Sequence, residues 1–264
     1  MTRFTTAGKK LKKYTVSLGV FALWIGLWQI AAAALSQEIL LVSPGKAALR
    51  LFQLIREPDF WLTVGTSCTR IMAGFVLALA AGAFLAVVMS RSRFLYAFFH
   101  PALAVIKATP VASFIILALV WVTGRRLSVF ISFLMVLPMV WSNLSEGIRS
   151  TDAKLLEMAK LFAFSPWEKA RYVYIPSVMP YFVSACTTGI GFAWKAGIAA
   201  EVLGVPKHSL GTEIYNAKIY LETADLFAWT AVIILMSMAI EKGFLKLLQA
   251  VNRRLQATRQ EEPR

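Results

Sequence analysis

Charge is scarce in this chain. Only 16% of its 264 residues are charged, 58% are hydrophobic, and mean hydropathy is +0.64; a soluble domain of this length carries about 25% charged and 45 to 50% apolar residues. An ordinary soluble globule is excluded, and the bilayer is the expected solvent. Cysteine is nearly absent. Cys68 and Cys186 sit in separate apolar runs, which excludes a disulfide framework and leaves both as small core residues. Histidine occurs only at 100 and 208. With no carboxylate cluster, metal-ligand spacing, nucleophile elbow or phosphate-cradling glycine loop beside them, a membrane enzyme has nothing to be built on, and no metal or cofactor is expected. Walker-type sequence is missing too, so any ATP dependence must come from a partner chain.

Long apolar runs are what the chain does have. Asking for about 20 mostly apolar residues per crossing gives six spans, near 14–35, 67–89, 95–122, 128–148, 178–200 and 226–248. The third contains His100, Pro101, Lys107 and Pro110, so its clean part is only 111–122 and the rest reads as a separate, partly interfacial helix. The first follows Lys9, Lys10, Lys12 and Lys13 and ends in AAAALSQ. It is too long for a signal-peptide core, and five spans follow it.

Six spans with the N-terminus inside place 19 of the 28 Lys and Arg on the cytoplasmic side and 7 outside; Arg70 and Lys195 lie within spans. The positive-inside rule therefore puts both termini in the cytoplasm. The net charge of +14 is explained by this inner face, with no nucleic-acid module to suggest another use. The expected class is all-α and polytopic. Residues 1–58 form the cytoplasmic start, first span and outer loop, 59–248 the main membrane region, and 249–264 a solvated basic tail.

The longest inner loop, between spans four and five, is not a linker. RSTDAKLLEMAKLF offers Ser150, Thr151 and Asp152 as N-caps, then Leu155, Ala159 and Phe162 on one face and Lys154, Glu157 and Lys160 on the rest. SPWE supplies a capping box, Ser165 with Glu168, and puts Pro166 at the first helical position. The second helix should end by about Tyr174, because Pro176 disfavours helical geometry at Ile175. Ala163 and Phe164 are left as a tight corner.

Glu157, Ala159, Ala163, Val173 and Pro176 resemble the E-A-A, then Gly, then I-x-L-P signature of permease subunits of binding-protein-dependent ABC importers. Met158 stands where the first Ala is usual, and Ala163 where Gly is usual; if that corner needs positive φ, the alanine is strained. From 59 to 243, FWLTVGTSCTRIMAGFVLALAAGAFLAVVMSRS and WKAGIAAEVLGVPKHSLGTEIYNAKIYLETADLFAW resemble the nitrate, sulfonate and taurine branch. The resemblance implies a bacterial-type plasma-membrane permease with no hydrolysis of its own. Its implied partners are a dimer of cytoplasmic ATP-binding subunits, an extracytoplasmic solute-binding protein and a second permease copy. The implied solute is a small organic or inorganic anion such as a sulfonate or nitrate. Glu157, Ala159, Phe162, Ala163, Phe164 and Arg171 are the coupling candidates, and Pro176 and Pro180 would set the angle at which the hairpin joins span five.

Span five carries Ser184, Thr187, Thr188, Gly189, Gly191 and Lys195 among apolar neighbours. A charge at membrane depth is functional by default, although Lys195 could instead snorkel or pair with Glu201. Ser184, Thr187, Thr188 and Lys195 are the pathway candidates. Ala78, Gly82 and Ala86, four apart, form a seam suited to close helix packing. Arg125 and Arg126 mark an outer turn. An ion-gradient-driven secondary transporter is the alternative; it would want a deep carboxylate, whereas Glu146, Glu201 and Glu241 all fall near span ends.

Overall fold

The computed structural model describes residues 4–260, with side-chain surroundings for 16, 18–248 and 250; the four lysines before the first span and most of the basic tail lie outside that side-chain description. Every described element is helical. In order they are α1 (Phe4–Leu35), α2 (Pro44–Leu54), α3 (Pro58–Arg91), α4 (Arg93–Ala108), α5 (Val111–Ala118), α6 (Gly124–Arg149), α7 (Ala153–Leu161), α8 (Pro166–Lys169), a π-helical turn (Ala170–Tyr174), α9 (Ile175–Gly204), α10 (Leu210–Ile219) and α11 (Thr223–Gln260).

Each of the six expected spans falls on one of these helices or helix pairs. Among the described residues α1, α3, α6 and α11 are long and apolar enough to cross a bilayer, and a fifth span forms if α4 and α5 count as one. The expected third span is not straight. Its halves meet at 107°, because Pro110 forces Thr109 into extended geometry (ψ 133°) and then opens α5 itself. At 30 residues α9 is about 45 Å long but is not among the helices apolar enough to pass on composition.

The chain divides into two compact units. Among the described residues, one comprises 4–60 and 213–232. Its loop between α1 and α2 is fixed by a Trp28 Nε1 hydrogen bond to the Val42 carbonyl (2.9 Å). Arg50 on α2 makes a two-pronged ion pair with Asp225 on α11 (2.5 and 2.8 Å), and this hydrogen-bonded partner raises the guanidinium's already high pKa. Trp28 stacks on Phe227, and Phe60 on Trp229.

The other unit comprises 61–212 and 233–260 of the described residues, and the α6 and α9 pairing is its spine. Small residues make the close approach. A Cβ on Gly197 would lie 2.5 Å from the Ile71 side chain and 2.6 Å from Ser132 Oγ, and that hydroxyl donates to the Ala193 carbonyl (3.0 Å). The α3 seam behaves as its spacing implies: Ala78 and Ala86 are buried, and a Cβ on Gly82 would sit 2.8 Å from Val140. The outward face of α3 is apolar, with Val76, Leu77 and Phe84 exposed, as lipid requires.

Candidate functional site

Local sequence builds the hairpin between α6 and α9. Asp152, of the three cap candidates, caps α7 by accepting from the Lys154 N–H (2.9 Å). The capping box forms as spaced: Glu168 Oε2 accepts from the Ser165 N–H (2.8 Å) and Ser165 Oγ accepts from the Glu168 N–H (3.3 Å). Ser165, through its side chain first and its backbone second, holds the Glu168 carboxyl below its ordinary range.

The corner is a Schellman turn. The Phe164 N–H bonds to the Ala159 carbonyl (2.9 Å) and the Ala163 N–H to that of Lys160 (3.0 Å), with Ala163 at φ +50°. Glycine is the usual residue there because a Cβ costs roughly 1–2 kcal/mol in left-handed geometry. Ala163 carries that strain, which the sequence makes conditional on a positive φ.

Past the corner, the expected stop at Tyr174 is absent. Helical structure runs from Pro166 through the π turn into α9 without a gap. The Ile175 N–H reaches the Ala170 carbonyl, one residue further back than in an α-helix. This wider turn ends just where the Pro176 ring follows, so the proline enters the first turn of α9 instead of ending a helix. The hairpin is rooted where Ser150 Oγ, just after α6, donates to the Tyr181 hydroxyl on α9 (2.8 Å).

Burial divides the coupling candidates. Ala159 is buried, so Leu155, Ala159 and Phe162 do not share one environment; Leu155 and Phe162 are exposed. Glu157, Ala163 and Arg171 are also exposed, and the Arg171 guanidinium lies 5.6 Å from the Tyr172 ring. Phe164 and Pro176 are half-buried. Phe164 lines an apolar cavity of about 850 Å³ between the hairpin, α3, α6 and α9. Two residues escape the sequence reading. Leu161 (86% exposed) and Trp167 (70%) join Phe162 (71%) in an apolar tip. Their signal was available: large apolar side chains flanking the corner in a loop otherwise rich in charge.

On α9, Ser184, Thr188 and Lys195 are exposed and Gly191 half-buried. Their spacing of four, three and four puts them on one helix face. Thr187 is half-buried, its hydroxyl turned back to the Val183 carbonyl (2.8 Å). Lys195 does not pair with Glu201. Glu201 is completely buried; its Oε2 accepts from Ser67 Oγ (2.7 Å) and the Gly211 N–H (3.3 Å), and Arg70 lies 4.0 Å from Oε1. Ser67 Oγ also accepts from the Leu210 N–H (2.9 Å). The carboxylate and hydroxyl thus satisfy first-turn donors of α10. Gly211 permits it, since a Cβ there would fall 2.4 Å from that of Glu201. Arg125 and Arg126, exposed, lie in the first turn of α6.

The family model described as the binding-protein-dependent transport system inner membrane component matches residues 74–256. The taurine transport system permease protein TauC of Escherichia coli (strain K12) is 23% identical, over 92% of this chain and 90% of that one. The putative aliphatic sulfonates transport permease protein SsuC of Bacillus subtilis is 23% identical over 92% and 88%. The nitrate import permease protein NrtB of Synechococcus elongatus is 26% identical over 74% and 73%. A crystal structure of an amino acid ABC transporter with histidines superposes with a TM-score of 0.55 at 20% identity, covering 73% of this chain and 94% of that one; it supports the fold.

Proposed function

Since the chain belongs to the family of binding-protein-dependent transport system inner membrane components, we propose that residues 152–174 seat a separate cytoplasmic ATPase and that the polar face of α9 lines the solute path. The chain is the multi-pass membrane permease of an ABC importer. One observation carries the coupling assignment. Leu161, Phe162 and Trp167 stand exposed at the tip of a hairpin whose internal geometry is held by Asp152, the Ser165–Glu168 box and the Schellman turn. Preset apolar knobs on a charged loop suit a protein cleft, each contributing roughly 1.5–3 kcal/mol when covered. Glu157 and Arg171 supply the polar rim, while Ala159 works from inside by letting the hairpin close.

Closure of an ATP-bound nucleotide-binding dimer then moves two hairpins, one from this chain and one from a second copy, and shifts the permease between outward and inward arrangements. Hydrolysis belongs to the partner. The exposed Lys195, with Thr188 and Ser184 along the same face, favours an anionic group, and the solutes in the names of the relatives for taurine, sulfonates and nitrate each carry an anionic set of oxygens. Both termini face the cytoplasm of a bacterial-type plasma membrane. The outer segments near 36–66 and 201–225 receive a solute-binding protein.

The test is capture of the ATPase at equal membrane expression. The native chain should bring it down, while Glu157→Arg with Ala163→Asp, or Leu161→Asp with Phe162→Asp, should not. Equal capture by all three would remove the hairpin from coupling. No capture by the native chain would bring forward an ion-gradient-driven transporter.

A further inference from the structure

A second polar feature lies outside both assigned regions. Between α4 and α6 is a cavity of about 250 Å³, room for about eight waters at ~30 Å³ each. From α4 it is lined by Tyr96, His100 and Lys107, at helical spacing on one face. From α6 come Trp141, Ser142, Ser145, Glu146 and Arg149.

The charges there are held but not neutralised. Arg149 lies over the Tyr96 ring, 5.2 Å from its centroid, Tyr96 stacks on His100 at 5.0 Å, and the His100 ring meets Trp141 at 5.8 Å. The Arg149 guanidinium thus rests on an aromatic face. Among the described residues Lys107, Glu146 and Arg149 make no ion pair with one another or with any other group. Trp141 is buried, and its Nε1 has no acceptor. The notch thus gathers two cations, two serine hydroxyls and one carboxylate at the inner end of α6, with an orphaned indole N–H in its wall. α3, by contrast, turns Val76, Leu77 and Phe84 outward.

Resting on the importer reading, we propose that this notch is a resting site for a small monovalent oxyanion, of nitrate to short alkylsulfonate size, inside the permease. Lys107 and Arg149 supply attraction, and Ser142 and Ser145 donate hydrogen bonds to the anion's oxygens. Glu146 repels a second negative charge, so a dianion such as sulfate is disfavoured. The position couples to movement: Arg149 is the last residue of α6, and Ser150, next in the chain, holds the hairpin root to Tyr181. The permease therefore contributes to selection of the solute after the binding protein has released it.

The experiment uses the permease purified with its ATPase and no binding protein, titrated calorimetrically with nitrate, methanesulfonate, ethanesulfonate and sulfate at fixed ionic strength. At least one monovalent anion should bind saturably and sulfate more weakly. Lys107→Gln should weaken that binding about tenfold, the size of one charge-assisted hydrogen bond, with Lys107→Arg restoring most of it and ATPase capture unchanged in both. Ser145→Ala is the milder variant, and should weaken binding without altering yield. Absence of saturable binding by any of the monovalent anions overturns the site. So does binding that survives Lys107→Gln, Ser145→Ala and Arg149→Gln unchanged, because it then occurs elsewhere. Failure to capture an ATPase overturns the importer reading instead, and this one with it.

Discussion

Ala163 concentrates the residue-scale argument. Its φ of +50° places a Cβ in a conformation that glycine adopts freely, so Ala163→Gly removes strain while adding freedom to the unfolded chain. The expected net effect is a hairpin more stable by up to about 1 kcal/mol, read as slower hydrogen exchange at the Ala163 and Phe164 amides; faster exchange would show that the alanine is unstrained. Glu168 gives a pH dependence. Its carboxyl is held below the ordinary range by Ser165, so the capping contribution is complete above about pH 4.3 and is lost as pH falls through the depressed native value. Protection of the Ser165 amide should be flat from pH 8 to 5 and fall only below that. Both the cap and the corner were legible in sequence, because each depends on residues within five positions of one another.

At the element scale the π turn at 170–174 matters most. It carries helical structure from the hairpin into α9, where a proline rule alone predicts a break. The rule concerns an α-helix, and the wider turn relaxes its steric premise. Removing one residue from this turn should restore α geometry and rotate the tip by about 100° relative to α9. The expected outcome is a permease that reaches the membrane in normal amount yet captures no ATPase. Retained capture would mean that the hairpin's aim does not depend on the turn. The bend between α4 and α5 shows the opposite case, in which Pro110 follows the rule and parts one apolar run into two helices at 107°.

For the whole molecule the question is which surfaces meet water. α3 and α9 both expose one face in the single chain, but the former shows Val76, Leu77 and Phe84 and the latter Ser184, Thr188 and Lys195. With Cys68 and Cys186 replaced, Thr188→Cys should react with a membrane-impermeant maleimide in the assembled transporter and Phe84→Cys should not. If Thr188→Cys is as inert as Phe84→Cys, the α9 face is dry and the pathway assignment fails. Glu201 shows how far a linear view falls short. It stands near a span end, as expected, yet it is fully buried and bonded to Ser67 and Gly211, 134 and 10 residues away in sequence. A carboxylate committed to closing the start of α10 is poorly placed to carry protons for a gradient-driven cycle.

Composition, hydropathy and capping chemistry were enough to establish an all-helical membrane protein and the caps and corner of the hairpin between α6 and α9, because these follow from short-range backbone sterics and transfer energies summed along the chain; against the six expected crossings, four helices, or five with α4 and α5 joined, are long and apolar enough among the described residues. Tertiary structure alone decided that Ala159 turns inward while Leu161, Phe162 and Trp167 turn outward, that Glu201 pairs away from Lys195, and that α4 and α6 enclose a polar notch. Each of these depends on which helix faces meet. That is settled by the fit of small residues such as Gly82 and Gly197 against a neighbouring helix, and no periodicity within one helix contains its neighbour's position.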